Sequence, residues 1–471
     1  MSKQKAVFTR LRLVLAAGLV ALAALPAALN AAPTPPGTEN MTLVGNSDSD
    51  GTLNTDMAFR GNLMYAGQFG GFRILDISQP QPQVIATHAC NGPQGDVSVY
   101  EMGGKRFLFQ SVDAGQTAED CTSATAPIDG EGHRTGYEGV RVFDVTNPAQ
   151  PLFLDMIQTA CGSHTHTLVP DGQTVFIYVS SYPLGIGITA PTGPGDFRPC
   201  APPHKKISII EASAPGGTFQ FDLSEKALSD DTAFNRGFQA CSDIQVFMPK
   251  DIAVASCAGD AQIWDISDPA DPTSANGEPH THIYSPSATD QFEFVDSAIV
   301  SWDGKKLAVA DETGSGVEAW CDGAASQDGF YYFYKMVEPG DPAPPLRARF
   351  TIPRPQSPET CVSHHGNVIP VRGRDLMSAA YYQGGNTVVD FTDLDNVREV
   401  AYSDVEDATG LADSWATYWY NGRVYANGGL NGRGATGNRG VDVFSLDLPG
   451  LRKAKQWAHS NPQTQEAFQV P

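Results

Sequence analysis

Along the chain, short runs of alternating aliphatic and aromatic residues end repeatedly in an acid or polar residue and then a turn. Seven such segments recur: GFRILDIS from Gly71, GVRVFDVT from Gly139, KISIIEAS from Lys206, AQIWDISD from Ala261, GVEAWCDG from Gly316, NTVVDFTD from Asn386 and VDVFSLDL from Val441. Period-two alternation bounded by turn residues is the pattern of a strand. Three segments close with the same kind of turn, Gln79-Pro80, Asn147-Pro148 and Asp268-Pro269. There proline presets φ and the polar side chain before it satisfies the backbone. One supersecondary unit is being repeated. Long helical periodicity is absent from the mature chain, and a short helix is expected only around Leu451 to His459.

Further strand patterns surround each segment and are lettered A to D in chain order, with the segment above as C. The second unit reads most cleanly, with Asp96 to Tyr100 as A, Arg106 to Val112 as B, Gly139 to Val145 as C and Pro151 to Ile157 as D. A four-stranded sheet cannot bury both its faces until neighbours stack on it, so such repeats predict a propeller. The expected fold is all-β: a seven-bladed β-propeller of four-stranded antiparallel blades at 55–88, 96–158, 164–224, 242–284, 295–351, 363–403 and 413–447. Blade seven runs out of chain after its C strand. The extended segment Met41 to Gly45 is expected to supply the missing D strand and close the ring, leaving no open sheet edge between the chain ends.

These C strands resemble the consensus of the LVIVD-repeat proteins, through Arg73 to Asp76, Arg141 to Asp144, Ile263 to Asp265 and Val388 to Asp390, and more weakly over most of the mature chain. Glu211, Cys321 and Ser445 stand where the acid is expected in blades three, five and seven, so the aspartate is not required in every blade. The resemblance implies a bacterial secreted or cell-surface β-propeller. It implies no settled activity and carries over no catalytic residues.

The amino end fits that location. Lys3, Lys5, Arg10 and Arg12, an apolar stretch from Leu11 to Leu29 and small residues at Asn30, Ala31 and Ala32 have the layout of a secretory signal peptide over 1–31. A linker at 32–40, the propeller at 41–450 and a C-terminal tail at 451–471 follow. A membrane anchor is the alternative, but Pro26 interrupts the run and no cysteine follows it to accept a lipid. No second hydrophobic span appears, so no membrane insertion is expected after signal cleavage. With 31 basic against 53 acidic residues the net charge is −22, and loss of the basic leader makes the mature chain more acidic. That argues against nucleic acid and anionic membrane as partners, and for solubility or cation association.

Eight cysteines and no CxxC pair in an exported chain read as disulfides. Cys90 with Cys121, Cys161 with Cys200 and Cys241 with Cys257 occupy the same D-to-A and B-to-C loop positions around blades two, three and four. The repeat therefore pairs them, and Cys321 with Cys361 remains by elimination.

Loops entering strands A and C emerge on one side of an antiparallel blade, here called the upper face. The long loops 112–138 and 180–205 lie there, as do 163–167 and 363–366. Aligning the starts of the innermost strands gives Thr55-Asp56, Gly95-Asp96, Thr165-His166, Ser242-Asp243, Val295-Asp296, His364-His365 and Ser414-Trp415, with Asp413 able to replace Trp415 through a bulge. Asp56, Asp96 and Trp415 thus join a channel ring of four aspartates and two histidines. Crowded carboxylates need a cation, a proton or strong hydrogen bonds. His166 and His365, with His164, His364 and Asp243 or Asp296, form a metal set suited to zinc, copper or iron. Alternatively, each Asp accepts backbone amides at its strand start and each His bridges loops.

Asn46, Asp48 and Asp50 before Gly51 match the first half of a calcium loop, although Met57 stands where its glutamate belongs; a solvated acidic turn is the alternative. A further His-Thr-His at 280–282 falls on an outer strand. Tyr381, Tyr382, Trp415, Tyr418 and Trp419 offer either interblade packing or stacking surface near the upper mouth. No GxSxG, HExxH or phosphate-cradling loop occurs. The expected role is a secreted binding or interaction module, working through the upper face on a protein, carbohydrate or small-molecule ligand. The alternative is a metal-dependent hydrolase or oxidase at the channel mouth.

Overall fold

The computed structural model describes residues 37–47, 51–126, 136–181, 204–228, 240–272, 281–284, 292, 294–312, 329–354, 360–404, 406–407, 410–411, 413–428 and 440–466. Nearly all the strands in them pair into four-stranded antiparallel units. Unit one joins Asn54–Arg60, Leu63–Gln68, Gly71–Asp76 and Gln83–Ala89; unit two joins Gln94–Met102, Lys105–Gln116, Tyr137–Asp144 and Leu152–Gln158. Unit three runs from Thr165–Asp171 to Gln220–Ala227, unit four from Asp243–Phe247 to Thr281–Tyr284, unit five from Val295–Val300 to Ala348–Phe350 and unit six from His365–Ile369 to Arg398–Ser403. In the last unit, Ser414–Tyr420, Arg423–Gly428 and Gly440–Leu446 take their fourth strand from Met41–Asn46, which pairs antiparallel from Met41↔Leu446 to Asn46↔Asp442.

The first strand of each unit touches the first strand of the next, and Ser414–Tyr420 touches Asn54–Arg60. These first strands lie side by side, along a line here called the axis. Apolar clusters fill the spaces between neighbouring units: Phe107, Phe109 and Val142 of unit two, for instance, pack with Leu168, Val175 and Ile177 of unit three. Fourth strands face solvent on one side, as in Leu152–Gln158, where Leu152 and Leu154 are exposed while Met156 and Ile157 are buried.

The recurrent aspartate has a structural job. Asp76, Asp144, Asp265 and Asp390 each accept, through Oδ1, the amide of the residue two positions on, at 2.8, 2.9, 2.8 and 3.0 Å. Asn147, Asp268 and Asp393 repeat the device three residues later, accepting from Ala149, Ala270 and Asp395. A side chain that mimics the backbone in this way ends the strand and starts the turn.

Two expectations need correction. The third strand of unit five is Tyr331–Lys335, whereas the segment from Gly316 lies outside the described residues. Four consecutive aromatics, Tyr331 to Tyr334, are fully buried between neighbours there, a larger apolar payload than the glycine-containing segment offers. Nor does a helix span Leu451 to His459: a 3-10 turn, Leu451–Lys453, gives way to extended chain. The tail finds better partners on the disc than in itself. Trp457 exchanges backbone hydrogen bonds with the Asn421 side chain at 2.7 and 2.9 Å.

From there the tail follows the ends of the first strands opposite to their starts. Lys455 bonds Pro370 of unit six, and His459–Ser460 pairs with Phe59 and Arg60 of unit one. Asn461 then clamps the amide and carbonyl of Val99 in unit two at 2.8 and 3.0 Å. The Thr464 hydroxyl reaches Leu168 O of unit three, and Thr464–Gln465 pairs parallel with Val246 and Phe247 of unit four. The Gln463 side chain turns inward along the axis and reaches Asp56.

Candidate functional site

All seven aligned positions fall within the first three residues of a first strand. In four units the pairing of first and second strands slips there, between Asn54 and Met57, Gln94 and Val97, Val295 and Ser297, and Ser414 and Ala416. Such bulges re-aim side chains, and the residues they carry are Asp56, Asp96, Asp296 and Trp415. In the last unit the slip lies between Ser414 and Ala416 and holds Trp415 itself. Asp56, Asp96, His166, Asp243, Asp296 and His365 are all buried.

Three of the predicted groups converge. Asp296, His364 and His365 place one ligand atom each within 4.8 Å of one another. Asp296 Oδ2 lies 3.3 Å from His365 Nε2 and 3.6 Å from His364 Nε2, yet takes no hydrogen bond of good geometry. The far nitrogen of each ring is held: His365 Nδ1 donates to Asp56 Oδ2 at 2.7 Å, and His364 Nδ1 donates to the Trp415 carbonyl. Partners at Nδ1 fix the tautomer and leave each Nε2 near Asp296, and such partners are how metal-binding histidines are oriented. The two rings lie parallel, 4.2 Å apart and 5° from coplanar, so their Nε2 atoms stand side by side. Glu312 Oε1 adds a second carboxylate 3.7 Å from His364 Nε2 and accepts the Tyr382 hydroxyl.

The electrostatics follow from burial and pairing. Burial pulls the His365 imidazolium down, but the flanking Asp56 and Asp296 carboxylates outweigh it and raise His365 well above its ordinary value. Burial would raise both carboxyls, and the histidines hold both low. His364, buried and beside that cation, falls to about 4. Burial, with Asp296 nearby, pushes Glu312 well up. The Asp56 and Asp296 carboxylates thus favour the protonated form of His365. A metal ion would displace that proton, because imidazole ligands bind deprotonated. Two imidazole nitrogens and carboxylate oxygen are a donor set for zinc or iron.

His166 does not join them. Its Nε2 meets the Ser98 hydroxyl at 2.7 Å and its Nδ1 the Ser111 hydroxyl at 2.8 Å, so both nitrogens are spent on neighbouring strands. Burial lowers it to about 3. His164 pairs with Asp113 at 2.9 Å. Asp243 accepts the Ile244 amide at 2.8 Å and the Thr165 hydroxyl at 3.2 Å, and burial lifts it to about 6. Asp96 accepts the His166 amide at 2.9 Å and is raised well above its usual value by burial and by Asp56. These residues behave as strand-start acceptors and bridges. The sequence-based ligand set is corrected accordingly: the cluster contains His364, His365 and Asp296, but neither His166, His164 nor Asp243.

Of the disulfides, Cys90–Cys121 and Cys241–Cys257 are formed. Cys161 and Cys361 are disulfide-bonded as well, while Cys200 and Cys321 lie outside the described residues. So do Asp48, Asp50 and His280; Asn46 donates its side-chain amide to Asp442 at 2.7 Å. His282, on an outer strand, pairs with Asp260 at 2.7 Å. Tyr381, Tyr382, Tyr418 and Trp419 are packed away, and Trp415 lies edge-on to His364 with centroids 5.0 Å apart.

Sequence reasoning missed Glu312, Gln463 and Arg141. Glu312 directly follows the second strand of unit five, next to Asp311, and an acidic pair at the upper end of a strand was the available signal. Arg141, fully buried in a third strand, donates to the Asn91 and Glu119 carbonyls and the Ser123 hydroxyl, tying down the upper loop that Cys121 staples. No helix among the described residues is long and apolar enough to cross a membrane.

No family model and no curated protein matches the sequence. Among solved structures, the computationally designed Ika8 protein aligns at 12% identity over 86% of this chain and 99% of its own, with a TM-score of 0.41, and no conclusion rests on it. The WD40 repeats of RRP9 align at 8% identity over 88% of this chain and 99% of theirs, with a TM-score of 0.50. That likeness is one of fold alone, and the fold is a β-propeller.

Proposed function

We propose that the protein is a secreted β-propeller of the LVIVD-repeat kind, with seven blades and a ring closed by its N-terminal strand, that works as a binding module through its upper face. The pairing of Met41–Asn46 with Gly440–Leu446 and the cyclic contacts of the first strands support the ring. The observation that carries the functional reading is the unequal treatment of the two ends of the axis. The tail crosses the lower end and sends Gln463 into it, whereas the Cys90–Cys121 bridge and Arg141 stiffen a loop at the upper end. Loops held on a rigid scaffold are the usual place for recognition, and a β-propeller suits interaction with protein. Disulfide bonding agrees with export.

The second reading, a metal-dependent hydrolase or oxidase, is favoured by one specific observation: the convergence of His364, His365 and Asp296. Metal–ligand bonds of about 2.0–2.2 Å put tetrahedral neighbours roughly 3.3–3.5 Å apart, close to the 3.3 and 3.6 Å found here. Loading needs a tilt of one of the parallel rings to bring both lone pairs onto one ion. The ion would polarise a substrate oxygen or lower the pKa of bound water, while Asp56 and the Trp415 carbonyl hold the rings in place. A structural calcium at Asn46, Asp48 and Asp50 would pin the start of unit one.

Metal content decides between the two. Mature protein isolated from an oxidising compartment without chelator is assayed for transition metals and calcium, alongside His364→Ala, His365→Ala and Asp296→Ala. Near-stoichiometric metal that all three variants lose establishes the metal reading. No transition metal, with the variants folded, leaves the binding module. Amino-terminal sequencing of the exported chain tests cleavage after residue 31.

A further inference from the structure

We propose that a cavity on the tail side of the disc, at the far end of the axis from the histidine cluster, binds one neutral sugar ring. Among the described residues the tail touches unit six, the last unit and units one, two, three and four, and over unit five, where Trp457 meets Trp302, it leaves a gap. A cavity of about 260 Å³ opens in that gap, with Ile299 and Trp302 of unit five as its floor and the two ends of the tail as its walls. Its volume is just below the roughly 300–1,000 Å³ of drug-sized ligand sites, which limits the occupant to a single ring.

The lining sets the chemistry. Trp302 and Trp457 pack ring to ring, 5.1 Å apart at 36°. The Trp302 indole is anchored, its Nε1 donating to Val368 O at 2.8 Å, and Asn421 holds the Trp457 backbone. With Ile299 and Val368 they make a rigid apolar wall, the kind of surface on which the C–H face of a pyranose lies. Polar groups stand on the tail. His459 Nε2 meets Glu466 Oε1 at 2.6 Å, joining the two ends of the circuit at the cavity. This half-exposed pair, with the Ser460 hydroxyl beside it, offers donors and acceptors to ring hydroxyls. The lining holds one lysine, Lys455, and one glutamate, Glu466, so it carries no net charge with His459 neutral. The chain as a whole stands at −22, which disfavours anionic ligands. An apolar wall, fixed hydroxyl partners, small volume and charge neutrality together select a neutral monosaccharide unit. This inference is independent of the axial cluster and survives its failure.

The test titrates the mature protein with methyl glycosides of glucose, galactose, mannose and N-acetylglucosamine, and in parallel with glucuronate and free amino acids. Calorimetry and tryptophan fluorescence are the readouts. At least one neutral glycoside should bind saturably with a Kd of about 1 mM or tighter. Trp302→Ala and Glu466→Gln should each weaken it about tenfold or more. Glu466→Gln is near-isosteric and preserves the fold if the larger change does not. Saturable binding of no neutral glycoside, preference for glucuronate or an amino acid, or binding that both variants leave intact would each overturn the assignment.

Discussion

Asp56 is the joint between the axial cluster and the tail, and replacing it by asparagine separates what each contributes. Its carboxylate accepts from four donors: His365 Nδ1 at 2.7 Å, Gln463 Nε2 at 3.0 Å, the Met57 amide at 3.0 Å and the Tyr418 hydroxyl. An amide keeps one acceptor oxygen and presents N–H groups on the other side. With the amide nitrogen toward Met57 and Tyr418, the Tyr418 hydroxyl can rotate to accept, but the Met57 amide loses its partner and His365 and Gln463 keep only a neutral acceptor. At about 1.5–3 kcal/mol for a hydrogen bond to a charged group, Asp56→Asn should cost the metal-free protein at least about 1.5–3 kcal/mol. It should also weaken metal binding by about 10–100-fold, because His365 loses the charged acceptor that orients it. Asp96→Asn is the internal control. Its carboxyl is pushed up by burial and by Asp56, which disfavour its charged form, so a neutral amide departs less from the native group and the cost should stay within about 1 kcal/mol. Chemical denaturation measures the first quantity, and competition with a chromophoric chelator measures the second. Equal losses in the two variants, or unchanged metal affinity in folded Asp56→Asn protein, would refute the pairing scheme.

Other consequences are open to direct measurement. Asn461→Ala strips partners from the buried amide and carbonyl of Val99 and should cost about 2–4 kcal/mol in denaturant unfolding; a change under about 0.5 kcal/mol would mean that the tail does not clamp the disc. Replacing Cys90 and Cys121 by serine opens a bridge between residues 31 apart and should cost about 3–4 kcal/mol, with no loss expected when wild type and variant are compared under reducing conditions. Acid should destabilise through the turn aspartates. The Ser78 amide holds Asp76 below the ordinary carboxyl value, and for Asp144 and Asp390 the Lys105 and Arg374 partners outweigh a burial effect of opposite sign. A lowered carboxyl stabilises fully above its unfolded value of about 3.9 and loses that contribution as pH falls through the folded value. Stability from these groups should therefore be level from pH 5 upward and drop below about pH 4. The double variant Asp144→Asn, Asp390→Asn should flatten that drop, and an identical acid limb would count against the assignment.

Strand positions were legible in the sequence because four C strands end in an aspartate that closes its own turn, so pattern and geometry share a cause. Unit five, like units three and seven, has no such aspartate, and its third strand is recognised by four buried aromatics that a search for the acid passes over. The bridges Cys90–Cys121 and Cys241–Cys257 were legible because equivalent loops in a repeat bring equivalent cysteines together. At the site, the alignment of strand starts placed Asp56, Asp96, Asp243, Asp296 and His365 on the axis, but it carried no information about what each ring nitrogen faces. His166 and His365 occupy equivalent strand starts and differ through neighbours on other strands: His166 meets serine hydroxyls at both nitrogens with Asp96 3.2 Å from Nδ1, whereas His365 lies between Asp56 and Asp296. Glu312 and Gln463 reach the axis from a strand end and from the tail, outside the repeat, where periodicity is silent.

The fourth strand of the last unit is the first strand among the described residues, and its partner is one of the last. Met41 faces Leu446, so this sheet cannot be completed until the chain has been made as far as Leu446. Contacts of such long range are slow to form, and until they do, Gly440–Leu446 offers a raw edge to any strand nearby. A product cut short before Gly440 would leave Met41–Asn46 without a mate, so completeness of synthesis is written into the topology itself.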